Sequence, residues 1–148
     1  MSTSTLRRQF VDLRAWLARF PLSILQLAMR LSVGAVFFNS GLLKYNSWEF
    51  AIKLFEQEYK LPLLDPELAA RLAMATELVF PLFLFAGLAT RLATLPLLGM
   101  VFVIEVLVYP WAWAEHLMWA SILALLLTRG PGVFSLDYLI EKYFAGRK

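Results

Sequence analysis

Each of the long apolar runs of this 148-residue chain carries an ionisable residue that hydrocarbon would normally reject: Arg30, Glu77, Glu105 and the pair Glu115–His116 fall within or at the edges of those runs, and Lys44 ends the first of them. Charge at membrane depth is expensive, so such residues face a bundle interior, a partner or a cavity, and any specific chemistry is expected to use them. Arg30 lies two or three turns into the first run and Glu77 near the middle of the second. At about 1.5 Å of rise per residue their depths differ by only a few ångströms, within reach of an arginine. The two are therefore expected to meet. They would form either a buried ion pair that sets helix register or a proton-exchanging, quinone-linked carboxylate.

A second group gathers near the opposite boundary: Lys44, Glu105, Glu115, His116 and Trp119, surrounded by Tyr45, Tyr109, Trp111 and Trp113. Neighbouring Glu115 and His116 are about 100° apart on a helix, so only one points fully inward, and His116 shares a face with Trp119. This group reads as a pocket for a small polar headgroup or a quinone ring, or else as a hydrated charge cluster that anchors the bundle. One histidine and scattered carboxylates make a poor transition-metal set, so no metal is expected. No catalytic residue can be singled out.

The elements that must position these residues are four apolar runs, Leu22–Leu43, Leu68–Ala86, Leu92–Tyr109 and Trp111–Thr128. A bilayer core about 30 Å thick takes about 20 helical residues to cross. The fold class is therefore all-α, an integral-membrane four-helix bundle with short interfacial amphipathic helices. Hydrophobic residues make up 60% of the chain, above the ~45–50% usual for soluble domains. There are no cysteines, which removes disulfide and thiolate chemistry, and the single histidine excludes an internal bis-His haem. Nothing before Pro21 forms a continuous apolar core, so the first span is expected to act as an uncleaved anchor.

Nine of the 14 Lys and Arg residues fall on one side of these spans: Arg7, Arg8, Arg14, Arg19, Arg91, Arg129, Lys142, Arg147 and Lys148. The other side has Lys44, Lys53, Lys60 and Arg71. The positive-inside rule then puts both termini in the cytoplasm.

Residues 1–21 read as a basic amphipathic segment with an apolar stripe at Leu6, Phe10, Leu13, Leu17 and Phe20. In the first span, Arg30, Gly34, Phe37, Gly41 and Lys44 share one face, with glycines that permit close helix approach. Phe38, Val36 and Leu42 are expected to face lipid. The external loop carries Trp48, Ile52, Phe55 and Tyr59 at helical spacing, which predicts a helix over about 48–59 supported by Glu49–Lys53 and Glu56–Lys60 pairs. Span two shows Ala70, Ala73, Glu77 and Pro81 on one stripe. Gly87 is expected to end that helix and Thr90 to cap the next. Residues 129–148 read as an amphipathic tail after the break at Gly130-Pro131-Gly132.

Several of these pieces, in this order, resemble the DoxX family: Ser40-Gly41-Leu42-Leu43-Lys44, the lone Glu77, Thr90-Arg91, His116-x-x-Trp119, and Gly130-Pro131-Gly132-x-x-Ser135-Leu136-Asp137. The resemblance runs from about Leu27 to Leu139. It implies a four-helix protein of the bacterial inner membrane, in a family named for a subunit of a thiosulfate:quinone oxidoreductase whose other members look like accessory proteins of redox, thiol or metal stress responses. It transfers no catalytic residue, and the lack of cysteine argues against direct thiol oxidation.

The expected function is that of an accessory or scaffold subunit in a redox or stress-response membrane complex. The alternative is a quinone-reactive subunit in which Glu77 or His116 exchanges protons. A small transporter ranks third, because four spans leave little room for a pore. The chain shows no flavin, haem or iron–sulfur motif, so quinone is the one cofactor to consider. The expected partners are the bilayer and a membrane or peripheral oxidoreductase, with a homo-oligomer left open and no nucleic acid.

Overall fold

The computed structural model describes residues 3–146. Leu6 of the N-terminal stripe has no described side chain, and Arg147 and Lys148 lie outside the described residues. Helix α1 spans Thr3–Ala18, α2 Leu22–Asn46, α3 Trp48–Leu54, α4 Pro66–Ala86, α5 Thr90–Val103, α6 Trp113–Arg129 and α7 Leu136–Ala145. Single π-helical segments continue α3 over Phe55–Tyr59 and α5 over Ile104–Val108, and a 3-10 turn, Pro110–Ala112, leads into α6. Among the described residues, four stretches are long and apolar enough to cross a membrane: Leu22–Asn46, Pro66–Ala86, Thr90–Val108 and Pro110–Arg129.

The four helices close into a ring in which α2 packs on α4, α4 on α5, α5 on α6, and α6 back on α2. The start of α2 and the end of α6 thus lie on one side of the bundle, the terminal side, and the α2–α4 connection lies on the other, the loop side. The core holds Val33, Phe37, Leu84, Leu97, Leu123 and Leu126 among its buried residues. A smaller cluster of Phe55, Ala69 and Ala70 seats the loop helix on the start of α4.

Local chemistry explains both ends of α4. Asp65 caps α4 by accepting from the backbone N–H of Glu67 and Leu68, each at 3.1 Å, with Pro66 opening the helix. Gly87, at φ 65°, ends it in the left-handed conformation, as its sequence position predicts. Thr90 does not cap α5. The helix begins after Ala89, and its first amides are taken by Asp137 from the far end of the chain, leaving the Thr90 hydroxyl buried and without a hydrogen-bond partner among the described residues.

The α2 face predicted to point inward does so: Arg30, Val33, Gly34, Phe37 and Gly41 are buried. Gly34 and Gly41 set its register against α4. A Cβ on Gly34 would come 2.6 Å from the Phe85 ring, and one on Gly41 would come 2.9 Å from Glu77 Cβ and from Leu78. Only glycine allows that approach. Val36 and Leu42 are exposed as expected, but Phe38 is half-buried, edge-on to Phe85 at 6.0 Å. In the loop, Lys60 adopts a left-handed conformation that ends the π segment. The expected Glu56–Lys60 and Glu49–Lys53 pairs are absent among the described ion pairs.

Candidate functional site

Arg30 and Glu77 do not meet, and the glycine register is the reason. Matching Leu22 with Ala86 would put Arg30 beside Glu77. Instead Gly41 sits against Glu77, eleven residues beyond Arg30 and so about 16 Å away along the helix axis. Arg30 lies level with the α4–α5 turn, where a Cβ on Gly87 would collide with its guanidinium.

Arg30 is fully buried and belongs to a knot on the terminal side. Its Nη2 donates to the Phe134 carbonyl. Asp137 accepts from Ala89 N–H at 2.7 Å and Thr90 N–H at 2.9 Å, and its own N–H donates to Gly87 O at 2.9 Å. Gln26 donates to Gly130 O at 2.8 Å, and Val133 N–H to Ser23 at 3.3 Å. Gly132 permits this contact, since a Cβ there would lie 2.7 Å from the Gln26 side chain. The Gly130–Asp137 stretch therefore plugs the terminal end, and its role is architectural.

The loop-side residues divide in two. Lys44 Nζ bonds Glu77 Oε1 at 2.8 Å, with only 12% and 5% of the side chains exposed. The second Glu77 oxygen, Oε2, is buried with no hydrogen-bond partner among the described residues. This pair closes the polar end of a cavity of about 230 Å³ that Phe55, Tyr59, Ala73, Pro96, Gly99 and Met100 help to wall. Gly99 leaves it room, because no described residue outside its own helix backbone and chain neighbours lies within 4 Å of where its Cβ would be.

Above the cavity, Tyr59 and Tyr109 meet edge-on at 5.6 Å, and the Tyr109 hydroxyl donates to Glu58. Burial pushes both phenols up from their usual range, reinforced at Tyr109 by the bond to Glu58 and at Tyr59 by the negative charge of Glu77 and Glu58. Both hydroxyls therefore stay protonated donors at neutral pH.

The second unit is His116 Nδ1 against Glu105 Oε2 at 2.6 Å. Trp119 lies 5.5 Å from the imidazole and edge-on to Phe37 at 5.9 Å. The π segment at Ile104–Val108 carries Glu105, and such segments are often found at functional sites. The pair lines a groove of about 400 Å³ between α5 and α6, whose rim includes the exposed Phe102, Trp113 and Leu117. Glu115 belongs to neither unit. It is exposed in the first turn of α6, where the helix dipole favours an anion.

The structure keeps Glu105, His116 and Trp119 together as the sequence grouped them, moves Lys44 from that group to Glu77, and leaves Arg30 and Glu115 apart from both; Glu58, Asp137 and Gly99 were not among the candidate residues. Asp137 stood within the recognised Ser135-Leu136-Asp137 string, but nothing local to it shows that it reaches back to Ala89. Among the described residues no group of three or more His, Cys, Asp or Glu could hold a metal ion.

The DoxX family model matches residues 25–110. A protein of Haemophilus influenzae, described only as uncharacterized, is 28% identical over 127 residues, covering 80% of this chain and 84% of that protein. No solved structure matches.

Proposed function

This chain belongs to the DoxX family, and from that premise we propose that it is an accessory membrane subunit of a redox or stress-response complex. The observation that carries the reading is the α5–α6 groove. Glu105 and His116 lie about one turn inside the apolar span, yet their groove opens through a rim of exposed apolar side chains. Acyl chains make a poor neighbour for a carboxylate at that depth. A partner's transmembrane helix carrying a polar residue would satisfy the pair and bury the rim. The absence of cysteine and of any recognisable redox-cofactor motif fits a subunit whose electrons pass elsewhere.

A photo-crosslinking residue at Leu117, in the protein expressed at native level, tests this. The expected result is a discrete adduct that disappears in the His116→Ala background, with no such adduct from a probe at Leu25, on the exposed face of α2. Equal labelling at both sites, dominated by lipid, would remove the reading.

The Lys44–Glu77 cavity supports a second reading, in which the subunit holds a quinone. Its volume lies just below the ~300 Å³ at which drug-sized sites begin, so it would admit a ring-sized head with the tail left outside. Lys44 would donate to a ring carbonyl, and the free Glu77 oxygen would exchange a proton. Gly99→Phe fills the cavity without touching either charge. That variant is expected to weaken binding of a short-chain quinone at least tenfold while leaving thermal stability near wild type. Unchanged binding would exclude the cavity.

A further inference from the structure

A large cavity on the terminal side carries two guanidiniums that form no ion pair among the described residues. It measures about 640 Å³ and opens between the starts of α2 and α5 and the α6–α7 connection. Arg91, in the first turn of α5, and Arg129, the last residue of α6, both line it. The Arg91 guanidinium lies against Gly130, whose Cβ would sit 3.5 Å from Nη2, so it shares a stretch of wall with the neighbouring Arg129. Neither arginine has a carboxylate within ion-pair distance among the described residues.

Two acids also line the cavity, but neither forms an ion pair with these arginines among the described residues. Both Asp137 oxygens are engaged by the Ala89 and Thr90 amides. Glu141, on α7, forms no ion pair with either arginine. Two forked cations in one concavity match the planar, bidentate geometry by which arginine holds phosphate oxygens. Both stand at the ends of spanning helices, the depth of the headgroup layer, and basic pockets between transmembrane helices take anionic heads in this way. Leu22 and Leu92 give the cavity an apolar flank on the side of the hydrocarbon.

We propose that this groove binds a phosphate group through Arg91 and Arg129. The position favours the phosphodiester of an anionic lipid, its chains running along Leu22 and Leu92; free phosphate offers the same oxygens. The test titrates the detergent-purified full-length protein with phosphatidylglycerol or phosphatidylcholine, read by native mass spectrometry, and with inorganic phosphate, read by calorimetry. The expected result is at least tenfold stronger retention of phosphatidylglycerol than of phosphatidylcholine. That preference should vanish in Arg91→Gln/Arg129→Gln and survive in Arg7→Gln/Arg8→Gln, which removes the same charge outside the groove. Phosphate binding that the groove variant abolishes, without any lipid preference, would keep the site and assign it to soluble phosphate. Equal retention of both lipids with no phosphate binding by the wild type would overturn the proposal, and so would a groove variant that keeps the wild-type preference. The wild-type arms can overturn the proposal even where the double variant fails to fold.

Discussion

Lys44→Met is expected to destabilise the bundle by about 3–5 kcal/mol, the loss typical when one member of a buried ion pair is removed and its partner stays. Glu77 has almost no exposure and is held between α2 and α4 by the glycine contact at Gly41, so its carboxylate cannot swing out to water once Lys44 is gone. Glu77→Gln should be milder. The remaining ammonium sits on a long flexible stem near the loop-side end of α2, from which it can reach the boundary. The double substitution Lys44→Met/Glu77→Leu should recover most of the loss, because it leaves no orphaned charge. Unfolding in mixed micelles with a rising fraction of a denaturing detergent gives all three values. Equal losses for the two single variants would contradict the burial asymmetry on which the expectation depends.

Asp137→Ala is expected to produce the second large effect, about 2–4 kcal/mol, from the loss of two charge-assisted bonds to the α5 amides and of the anion facing buried Arg30. Arg30 already has two nitrogens, Nε and Nη1, without hydrogen-bond partners among the described residues, which makes the nearby carboxylate matter more. Limited proteolysis should show a second consequence. With Asp137 gone, the segment after Arg129 loses its tie to the α4–α5 turn and should be cut many times faster. Asp137→Asn keeps an oxygen for one amide and should fall between wild type and alanine. A protease pattern identical to wild type would show that the tail is held by other contacts.

What the sequence revealed, and what it withheld, follows from the range of each interaction. The four spans and the loop helix were legible because hydrophobicity and helical spacing are local. The inward face of α2 was legible for the same reason, through Gly34, Phe37 and Gly41. The partners of Arg30 and Glu77 were not. Pairing depends on how far α2 slides along α4, and that slide is set by Phe85 and Leu78 filling the places where the two glycines lack side chains. An offset of about three turns exchanges every partner across the interface. Asp137 was opaque because its contacts span 47 and 48 residues and involve backbone amides, which carry no residue-type signal. Glu105 and His116, eleven residues apart across one tight turn, were placed together because short antiparallel connections leave little freedom.

The cap on α5 also bears on biogenesis. The amides at Ala89 and Thr90 leave the ribosome 47 or 48 residues ahead of the carboxylate that satisfies them. Until synthesis has passed Asp137, the hairpin formed by α4 and α5 waits in the translocon's surroundings with an open end and an uncompensated Arg30. A nascent chain stopped after Arg129 would contain all four spanning stretches and still lack the carboxylate that closes the start of α5.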